Sequence, residues 1–424
     1  MRSYLVATKL SCYKILTKDE KMRNFAEKLE SMNRLSVLLA FVIAAIPMFA
    51  ADIVIDGLYY TVTSLTDFEV SLVQPDKGVQ YPQKVIIPGQ IEYNGKTLKV
   101  TAIGYGAFKG QTAVEYVYIP KEVAQIYGTC FESCTSLKEL VIEDSSEPIK
   151  MGYQKYSSSP GYDGPGQGLF YDCKLEKLYL GRNIDYDQSY YAYYGYSPFY
   201  NQKELYSVQI GPNVSRFGMY FFYGAKKLET LVLPEGFERF ESYSLESSGI
   251  TNINIPSSVS YIGRESFRST NLVEITIPNL VESLDIYTFA NCNNLSTVKL
   301  GENLKEIGNF AFESENILNV YSYSIQPPKF TTYNQLPFGT FTTKTCMNAT
   351  LYVPEESVSL YQNAEGWNCF WNIKSIESAG VDEIRIDNNL PILYFDINGR
   401  QINHPSNGVF IEKQGKKLRK ILIP

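Results

Sequence analysis

A phenylalanine recurs at a nearly constant spacing through the middle of this chain, and Leu245 fills the one slot that lacks it. From Phe199 onward the successive steps are 23, 23, 22, 22 and 23 residues. A unit of this length is too small to bury its apolar face alone, so it must stack on its neighbours. The period therefore predicts a solenoid with a long exposed surface and no enclosed pocket, which favours binding over catalysis. The recurring residues are Phe108, Phe131, Phe170, Phe199, Phe222, Phe267, Phe289 and Phe312.

Each unit ends in an apolar-x-apolar triplet that is rich in β-branched residues, as in Ile275-Thr276-Ile277. This alternation predicts a short strand with one buried face. A proline or glycine such as Pro278 or Gly301 then ends the strand, because proline cannot donate to a β-ladder. At one strand per unit, the triplets predict a parallel sheet along the solenoid, with no room for a long helix.

Two segments that flank the repeats extend the pattern. Residues 94–104 lead into the first unit, and residues 349–354 and 361–373 follow the last. With the repeats, they resemble the BspA-like leucine-rich repeat proteins secreted by Bacteroidetes, over residues 52–378. The resemblance implies a β-rich, right-handed leucine-rich-repeat superhelix with short parallel strands and little helix. It also implies a role in adhesion to host proteins or to other cells.

The pattern divides the chain into five parts. Residues 1–51 form a dispensable extension with a secretory signal, residues 52–102 an N-terminal β cap, and residues 103–325 the repeats. Residues 326–378 form a C-terminal cap, and residues 379–424 form a small β tail. Two insertions that are rich in tyrosine, at about 145–168 and 185–198, lengthen the repeat steps to 39 and 29 residues.

The N-terminal region carries the three parts of a secretory signal. Met32-Asn33-Arg34 supplies a basic start, and residues 35–51 supply an apolar run that ends in small residues. We expect cleavage beside Ala50 or Ala51, and translation from Met32, because residues 1–31 are unusual upstream of a signal. A signal anchor is the alternative, although Pro47 interrupts the run and the run is short for a spanning helix. The mature chain is then expected to be secreted or held on the outer cell surface, with no membrane span.

The chain beyond residue 50 is acidic, with 31 lysines and arginines against 41 aspartates and glutamates. Nucleic acids and anionic membrane surfaces require basic patches, so this balance disfavours both as partners. The sequence also contains no phosphate-binding loop and no dinucleotide fingerprint. We therefore expect no cofactor.

Four of the cysteines occupy small slots of the repeat. Cys134, Cys173 and Cys292 each lie three residues after a repeat phenylalanine, and Cys130 lies directly before Phe131. Buried free thiols suit such positions, and the spacings do not form the paired motifs of a zinc site. Two further cysteines, Cys346 and Cys369, lie outside the repeat. After export these two could form a disulfide, but the sequence does not show whether they are close.

The chain has a single histidine, His404, which lies in the tail. A Ser-His or Cys-His nucleophile therefore lacks a base in the solenoid. A carboxylate pair needs no histidine, so a hydrolase remains the alternative from the enzyme class. The scattered turn carboxylates are interpreted as solvated surface residues: Glu274, Glu282, Asp285, Glu302 and Glu306.

Two surfaces are candidate binding sites. The first is the second insertion, because loops on a rigid scaffold often carry recognition and tyrosine offers a large contact area with a polar tip. Its candidate residues are Tyr190, Tyr191, Tyr193, Tyr194 and Tyr196. The alternative is that these rings pack on the solenoid wall.

The second candidate surface is the row of middle residues in the strand triplets, which should stand on the outer face of the sheet. Solenoids commonly bind partners on such extended faces. The alternative is that these residues simply suit strands. The row comprises Tyr118, Val141, Tyr179, Gln209, Val232, Asn254, Thr276, Lys299 and Tyr321.

The tail contains three alternating segments, and Asn398-Gly399 within the first is a strong hairpin signal. We predict a small element of three strands. It resembles the C-terminal tails of exported Bacteroidetes proteins, including type IX secretion sorting domains, but it is shorter. A terminal β cap is the alternative.

These observations predict a secreted or surface-displayed repeat protein that binds a host or bacterial surface protein without catalysis. Glycan capture through exposed tyrosines and a structural spacer without a ligand are the two alternatives. The sequence fixes no oligomeric state.

Overall fold

The structure is a computed structural model. It describes residues 51–153, 169–170, 172–186, 197–331, 339–376, 392–395, 401–402, 408–414 and 417–423. The predicted signal region, the five candidate tyrosines between Tyr190 and Tyr196, and His404 lie outside these residues.

The N-terminal region is a set of short strands that joins the solenoid. Strands β1 (Ile53–Ile55), β2 (Leu58–Ser64) and β3 (Glu69–Leu72) pair in antiparallel order. Strand β5 (Gln90–Tyr93) forms a hairpin with β6 (Lys96–Ile103). The turn residues Asn94 and Gly95 have φ of 49° and 71°, the left-handed conformations that a two-residue hairpin turn favours. Strand β3 pairs in parallel with β6 and so connects this cap to the repeats.

The predicted triplets form parallel strands along one side of the solenoid, which we call the strand face. A first sheet joins β4 (Lys84–Ile86), β7 (Tyr116–Ile119), β9 (Glu139–Ile142), β11 (Lys177–Arg182) and β13 (Ser207–Asn213). A short pair follows, β15 (Thr230–Leu231) with β17 (Asn252–Ile253). A second sheet joins β19 (Glu274–Thr276), β21 (Thr297–Leu300), β23 (Asn319–Ser322), β25 (Thr350–Val353) and β26 (Asn372–Ser375).

A second ladder of parallel strands runs beside the first, so the expectation of one strand per unit is wrong. Outside the two insertions, its strands contain the apolar residue five positions before the repeat phenylalanine, such as Ile126 or Ile262. Many are only two residues long, too short for any alternation to be read from sequence. They are β8 (Gln125–Tyr127), β10 (Ile149–Tyr153), β12 (Ile184–Asp185), β14 (Arg216–Phe217), β16 (Arg239–Phe240), β18 (Tyr261–Ile262), β20 (Ser283–Leu284), β22 (Glu306–Ile307) and β24 (Lys329–Phe330).

The repeat phenylalanines form the centre of the core, each fully buried and stacked on the next. The ring centroids of Phe108 and Phe131 are 4.8 Å apart, and those of Phe289 and Phe312 are 5.4 Å apart, with planes within 13° of parallel in both pairs. At Leu245 the stack is bridged by two other rings: Phe217 contacts Phe222 at 5.2 Å and Phe240 at 5.9 Å. Phe240 in turn contacts Phe267 edge to face at 4.9 Å. Truncation of such a buried ring to alanine costs roughly 3–5 kcal/mol.

Each repeat unit forms one coil of the solenoid. The turns around these phenylalanines contain a third set of hydrogen bonds between successive coils, in addition to the two strand ladders. In the turn of Phe289, the N–H groups of Tyr287, Phe289 and Asn291 donate to the carbonyls of Asn309, Ala311 and Glu313 in the next coil. The residues two before and two after the phenylalanine have positive φ, 59° at Tyr287 and 56° at Asn291. A non-glycine residue in this region costs roughly 1–2 kcal/mol, so the bonds to the next coil offset a local strain.

The C-terminal cap contains the helices of the described chain. These are α1 (Thr343–Asn348), α2 (Val358–Asn363) and two single 3₁₀ turns, Glu355–Ser357 and Trp367–Cys369. Trp367 is fully buried, and its indole N–H donates to the carbonyl of Pro328 at 2.7 Å. A disulfide joins Cys346 of α1 to Cys369, which settles the pairing that the sequence left open.

We predict that replacing both Cys346 and Cys369 with serine lowers the free energy of unfolding by about 2–4 kcal/mol, the usual contribution of a disulfide. The bridge spans 23 residues and ties the last helical turns together. Thermal unfolding with and without a reductant checks this, because the reductant should lower the Tm of the parent protein and leave the variant unchanged. An equal response of the two proteins would contradict the prediction.

The tail forms a separate sheet of four strands, in the order β28 (Gln401–Ile402), β27 (Ile392–Phe395), β29 (Gly408–Gln414) and β30 (Lys417–Ile423). Three strands were expected. The difference arises because the first predicted segment contains two strands, with Tyr394 paired to Ile402 across the expected hairpin.

Candidate binding surface

The strand face presents a continuous row of side chains in its N-terminal half. Ile86, Tyr118, Val141, Tyr179 and Gln209 are direct register partners on five hydrogen-bonded strands. Adjacent strands lie about 4.8 Å apart, so the row extends over roughly 19 Å. The neighbours of the first four row positions along their strands, such as Val117 and Ile119, are buried, whereas Val208 and Ile210 beside Gln209 are half-buried. Strand alternation thus places this row outward, as predicted.

Acidic side chains hold the two tyrosines of the row. The Tyr179 hydroxyl donates to both carboxylate oxygens of Asp144, at 3.0 and 2.9 Å. Burial and a hydrogen bond to Glu143 raise the pKa of Tyr118 to about 12. For Tyr179, burial and the bond to Asp144 also raise the pKa. Both phenols therefore stay neutral and oriented at neutral pH, and their rings are available for contact.

The predicted single row is broken in the middle, which corrects that expectation. Val232 and Asn254 each lie one residue beyond a strand that ends at Leu231 or Ile253. In the described chain no ladder joins β13 to β15, or β17 to β19. Both side chains are exposed, Val232 by 82%, but they are not continuous with the N-terminal half.

A second register row begins at Thr276. It continues through Lys299, Tyr321, Tyr352 and Lys374. Lys299 lies 3.8 Å from the carboxylate of Glu274, and the rings of Tyr321 and Tyr352 stack at 4.7 Å. Sequence reasoning missed Tyr352, because its segment was assigned to the cap although it continues the same sheet.

Both insertions fall at the same place in successive coils, between a second-ladder strand and the phenylalanine turn. Strand β10 takes up residues 149–153 of the predicted first insertion, and β12 ends at Asp185, where the second begins. Tyr186, the first tyrosine of the second insertion, is buried, and its hydroxyl donates to the carbonyl of Met219 at 2.7 Å. This tyrosine therefore packs on the wall, whereas Tyr190 to Tyr196 lie outside the described residues.

A further aromatic surface lines the phenylalanine turns and was not anticipated. The rings of Tyr200 and Tyr223 stack at 4.8 Å, and those of Tyr220 and Tyr243 stack at 4.5 Å. These residues lie one after or two before a repeat phenylalanine or, for Tyr243, two before Leu245 in the equivalent slot. The same offset in neighbouring units could have revealed the ladder from sequence.

Next to this aromatic surface is a cluster of four charged residues. Glu265 is buried and accepts hydrogen bonds from Arg264 at 2.9 Å and from Arg268 at 2.6 Å. Arg268 also lies over the ring of Tyr287. Burial and the nearby charge of Glu265 raise the pKa of Glu246 from 4.5 to about 7, and Arg268 and Lys226 partly oppose the shift.

We predict that Glu246→Gln stabilises the protein at pH 8 but not at pH 4. The folded pKa of Glu246 lies above its unfolded value, so the parent protein loses stability as the pH rises from about 4.5 to about 7. Glutamine does not ionise, so the variant does not lose stability in this way as the pH rises. Chemical denaturation across this range measures the difference, and the exposed Glu302→Gln serves as the control. A stability difference that is independent of pH would contradict the assignment.

The carboxylates and thiols that the sequence analysis singled out are distributed over the described residues rather than gathered into one cluster. Glu274, Glu282, Asp285, Glu302 and Glu306 are exposed, as interpreted from the sequence. No group of three or more histidine, cysteine, aspartate or glutamate residues in this part of the chain is arranged to hold a metal ion. Cys130, Cys134 and Cys292 are buried and Cys173 is half-buried. The Cys134 and Cys292 thiols donate to the carbonyls of Phe108 and Phe267.

Comparison with known proteins identifies the family. The BspA type leucine-rich repeat region matches in six copies over residues 101–197 and 194–319, which is just over half of the chain. The chain therefore belongs to the BspA-type leucine-rich repeat family, and the predicted fold class and resemblance are confirmed. No curated protein matches the chain. In the described residues, no helix is long and apolar enough to cross a membrane.

Two solved structures illustrate the likeness. One is a leucine-rich cell surface protein from Faecalibacterium prausnitzii A2-165, with 17% identity, 78% of this chain and 96% of that chain covered, and a TM-score of 0.39. The other is a leucine-rich repeat protein from Bacteroides ovatus ATCC 8483, with 18% identity, 77% and 100% covered, and a TM-score of 0.35. The fold assignment rests on the family match and on the coil geometry.

Proposed function

We propose that this protein is a secreted or surface-displayed binding protein without catalytic activity, and that it adheres to a protein partner on a host or another cell. The observation that carries the proposal is the in-register row of Ile86, Tyr118, Val141 and Tyr179 on a continuous five-stranded sheet. Extended faces of repeat solenoids are suited to partner binding, and aromatic residues are enriched in protein interfaces.

The composition of the row favours a protein over a glycan. Aliphatic Ile86 and Val141 alternate with the two tyrosines, and Ile86 is 56% exposed. Apolar aliphatic contacts contribute by burial, which a protein surface offers more readily than the hydroxyl-covered faces of a sugar chain. Glu143 and Asp144 lie at the two tyrosines, and the neighbouring register row contains Lys84, Glu139 and Lys177. We therefore expect a partner whose rim carries charges of both signs.

Export is supported by two independent features. The region from Met32 to Ala51 has the pattern of a secretory signal. The disulfide between Cys346 and Cys369 suits an oxidising compartment rather than the cytosol.

The tail sheet is proposed as a sorting element or as a terminal cap. Deletion of residues 391–424 distinguishes these roles, because unchanged surface display would exclude sorting.

We predict that replacing Tyr118 and Tyr179 with serine weakens partner binding at least tenfold, because truncation of central interface aromatics typically costs more than 1 kcal/mol each. The assay is binding of the purified protein to a panel of host matrix proteins and to a glycan array. The matched control replaces Tyr321 and Tyr352 with serine, the same chemistry on the other half of the strand face. Equal loss in both variants, or loss in neither, would overturn the assignment to the N-terminal row.

The insertion tyrosines are tested separately. We predict that replacing Tyr190, Tyr191, Tyr193 and Tyr194 with serine removes binding without lowering the Tm. A lower Tm with binding retained would favour packing on the solenoid wall, as seen for Tyr186. Binding of the parent protein to the glycan array but not to matrix proteins would favour glycan capture. If the folded protein binds neither, a structural spacer would be favoured.

A further inference from the structure

The C-terminal half of the strand face has a row of side chains whose chemistry differs from that of the row proposed for protein binding. We call it the C-terminal row. It crosses five hydrogen-bonded strands, from β19 to β26. Its members stand on the outward side, because their neighbours along the strands, such as Val298 and Leu300, are buried. The C-terminal row comprises Thr276, Lys299, Tyr321, Tyr352 and Lys374.

Two tyrosines lie at the centre of the C-terminal row. The rings of Tyr321 and Tyr352 stack with 4.7 Å between their centroids and 13° between their planes. Each ring therefore covers one face of the other. Because side chains stand roughly perpendicular to a sheet, the pair presents its edges and its phenol hydroxyls to a ligand. A phenol hydroxyl both donates and accepts hydrogen bonds, so the pair offers polar groups rather than a flat stacking platform.

A lysine lies on each side of the tyrosine pair. Lys299 and Lys374 are three strands apart, which is about 14 Å at the usual strand spacing. The ammonium group of Lys299 is 3.8 Å from the carboxylate of Glu274, the longest ion pair of the described chain. Lys374 is exposed, and among the described residues it forms no ion pair. The row therefore concentrates positive charge on a chain that is acidic beyond residue 50.

A second register row runs directly beside the C-terminal row and is almost entirely polar and uncharged. Threonine and asparagine side chains combine hydrogen-bond donors with acceptors. Neither row contains an aliphatic residue, in contrast to Ile86 and Val141 of the N-terminal half. The members of this neighbouring row are Glu274, Thr297, Asn319, Thr350 and Asn372.

These groups match a ligand that is extended, rich in hydroxyl groups and negatively charged. The hydroxyl groups of a sugar chain need hydrogen-bond partners when they leave water, and the threonines, asparagines and tyrosines supply them. Anionic groups on the chain would pair with the two lysines. An acidic peptide would supply the charge, but its apolar side chains would find no aliphatic surface to bury against. The composition therefore favours a glycan over a peptide.

We infer that the C-terminal row binds an acidic polysaccharide, whose chain lies across the strands along the solenoid axis. Lys299 and Lys374 pair with its carboxylate or sulfate groups, and the hydroxyls of Tyr321 and Tyr352 bond to the sugar units between them. This inference does not rest on protein binding by the N-terminal half of the face. It assigns a different class of ligand to a different set of residues.

The first test is binding of the purified protein to immobilised polygalacturonate, which carries only carboxylates, and to dextran sulfate, which carries only sulfates. Uncharged dextran and polyglutamate are the controls, and the protein concentration is raised to about 1 mM. We expect binding to at least one acidic glycan and none to dextran, and the tighter glycan identifies the anionic group. Raising the ionic strength from about 0.01 M to about 1 M shortens the screening length from about 30 Å to about 3 Å and should weaken this binding.

The second test uses variants that leave the sheet intact. Replacing Lys299 and Lys374 together with glutamine should weaken glycan binding about tenfold, because two charge-assisted contacts are lost, with little change in Tm. The matched control replaces Lys305 and Lys329, which are exposed on the second ladder, with glutamine. It removes the same charge and should leave binding unchanged.

A further pair of variants isolates the tyrosine hydroxyls from the tyrosine rings. Replacing Tyr321 and Tyr352 with phenylalanine keeps the stacked rings and removes only the hydroxyls, so glycan binding should weaken while the Tm is retained. The Tyr118→Ser and Tyr179→Ser double variant should bind the acidic glycan normally. A failure of the protein-binding proposal is thereby distinguished from a failure of this one.

Four outcomes would overturn the inference. The parent protein binds neither acidic glycan over the whole concentration range, or it binds polyglutamate as tightly as the glycans, which would indicate a site for acidic peptides. The Lys305 and Lys329 variant loses as much binding as the Lys299 and Lys374 variant, which would indicate attraction without a defined site. Finally, the phenylalanine variant binds as tightly as the parent protein.

Discussion

Each coil of this protein depends on the coil beside it, and the stacked phenylalanines are where that dependence is strongest. The rings repeat at about 5 Å from Phe108 to Phe312, with Phe217 and Phe240 together bridging the step at Leu245. Such aromatic contacts contribute about 0.5–1.5 kcal/mol each beyond the burial of their area. The same spacing is imposed by two strand ladders and by the N–H groups of the turns. The surfaces proposed for binding inherit their rigidity from this shared period.

A stacked architecture separates the side faces of the solenoid from its two ends. Within each sheet the strand register aligns a row of side chains such as Tyr118, Val141 and Tyr179, and hydrogen bonds such as that from Tyr179 to Asp144 orient them further. The ends cannot be satisfied from within, because a parallel sheet always leaves one edge unpaired on its first and last strands. In this chain, caps with a hairpin and a disulfide cover part of each end. Strands β4 and β26 are the terminal strands of the two sheets of the strand face.

The features that recur in every repeat could be predicted from the sequence. The features that depend on contacts with the next coil, or that are too short to form a sequence pattern, could not. The phenylalanine period and the alternating triplets predicted the solenoid, the strand face and the outward position of Tyr118 and Tyr179. The second ladder was not predicted because strands such as Arg239–Phe240 have only two residues and therefore show no alternation. The left-handed residues at Tyr287 and Asn291 also escaped, because their conformation depends on hydrogen bonds to the next coil. The break at Asn254 was missed because the triplet continues where the strand has ended.

Amide hydrogen exchange at the phenylalanine turns tests most directly whether stacking holds the coils together. The N–H groups of Phe222, Phe267 and Phe289 each donate to the following coil, at 2.7, 3.0 and 2.8 Å. If stacking holds the molecule together, these amides should exchange as slowly as those of the strand face and become unprotected together with them on denaturation. Rapid exchange at the turns while the strands stay protected would show that the coils are held by the sheets alone. That result would contradict the central role of the phenylalanine stack in this fold.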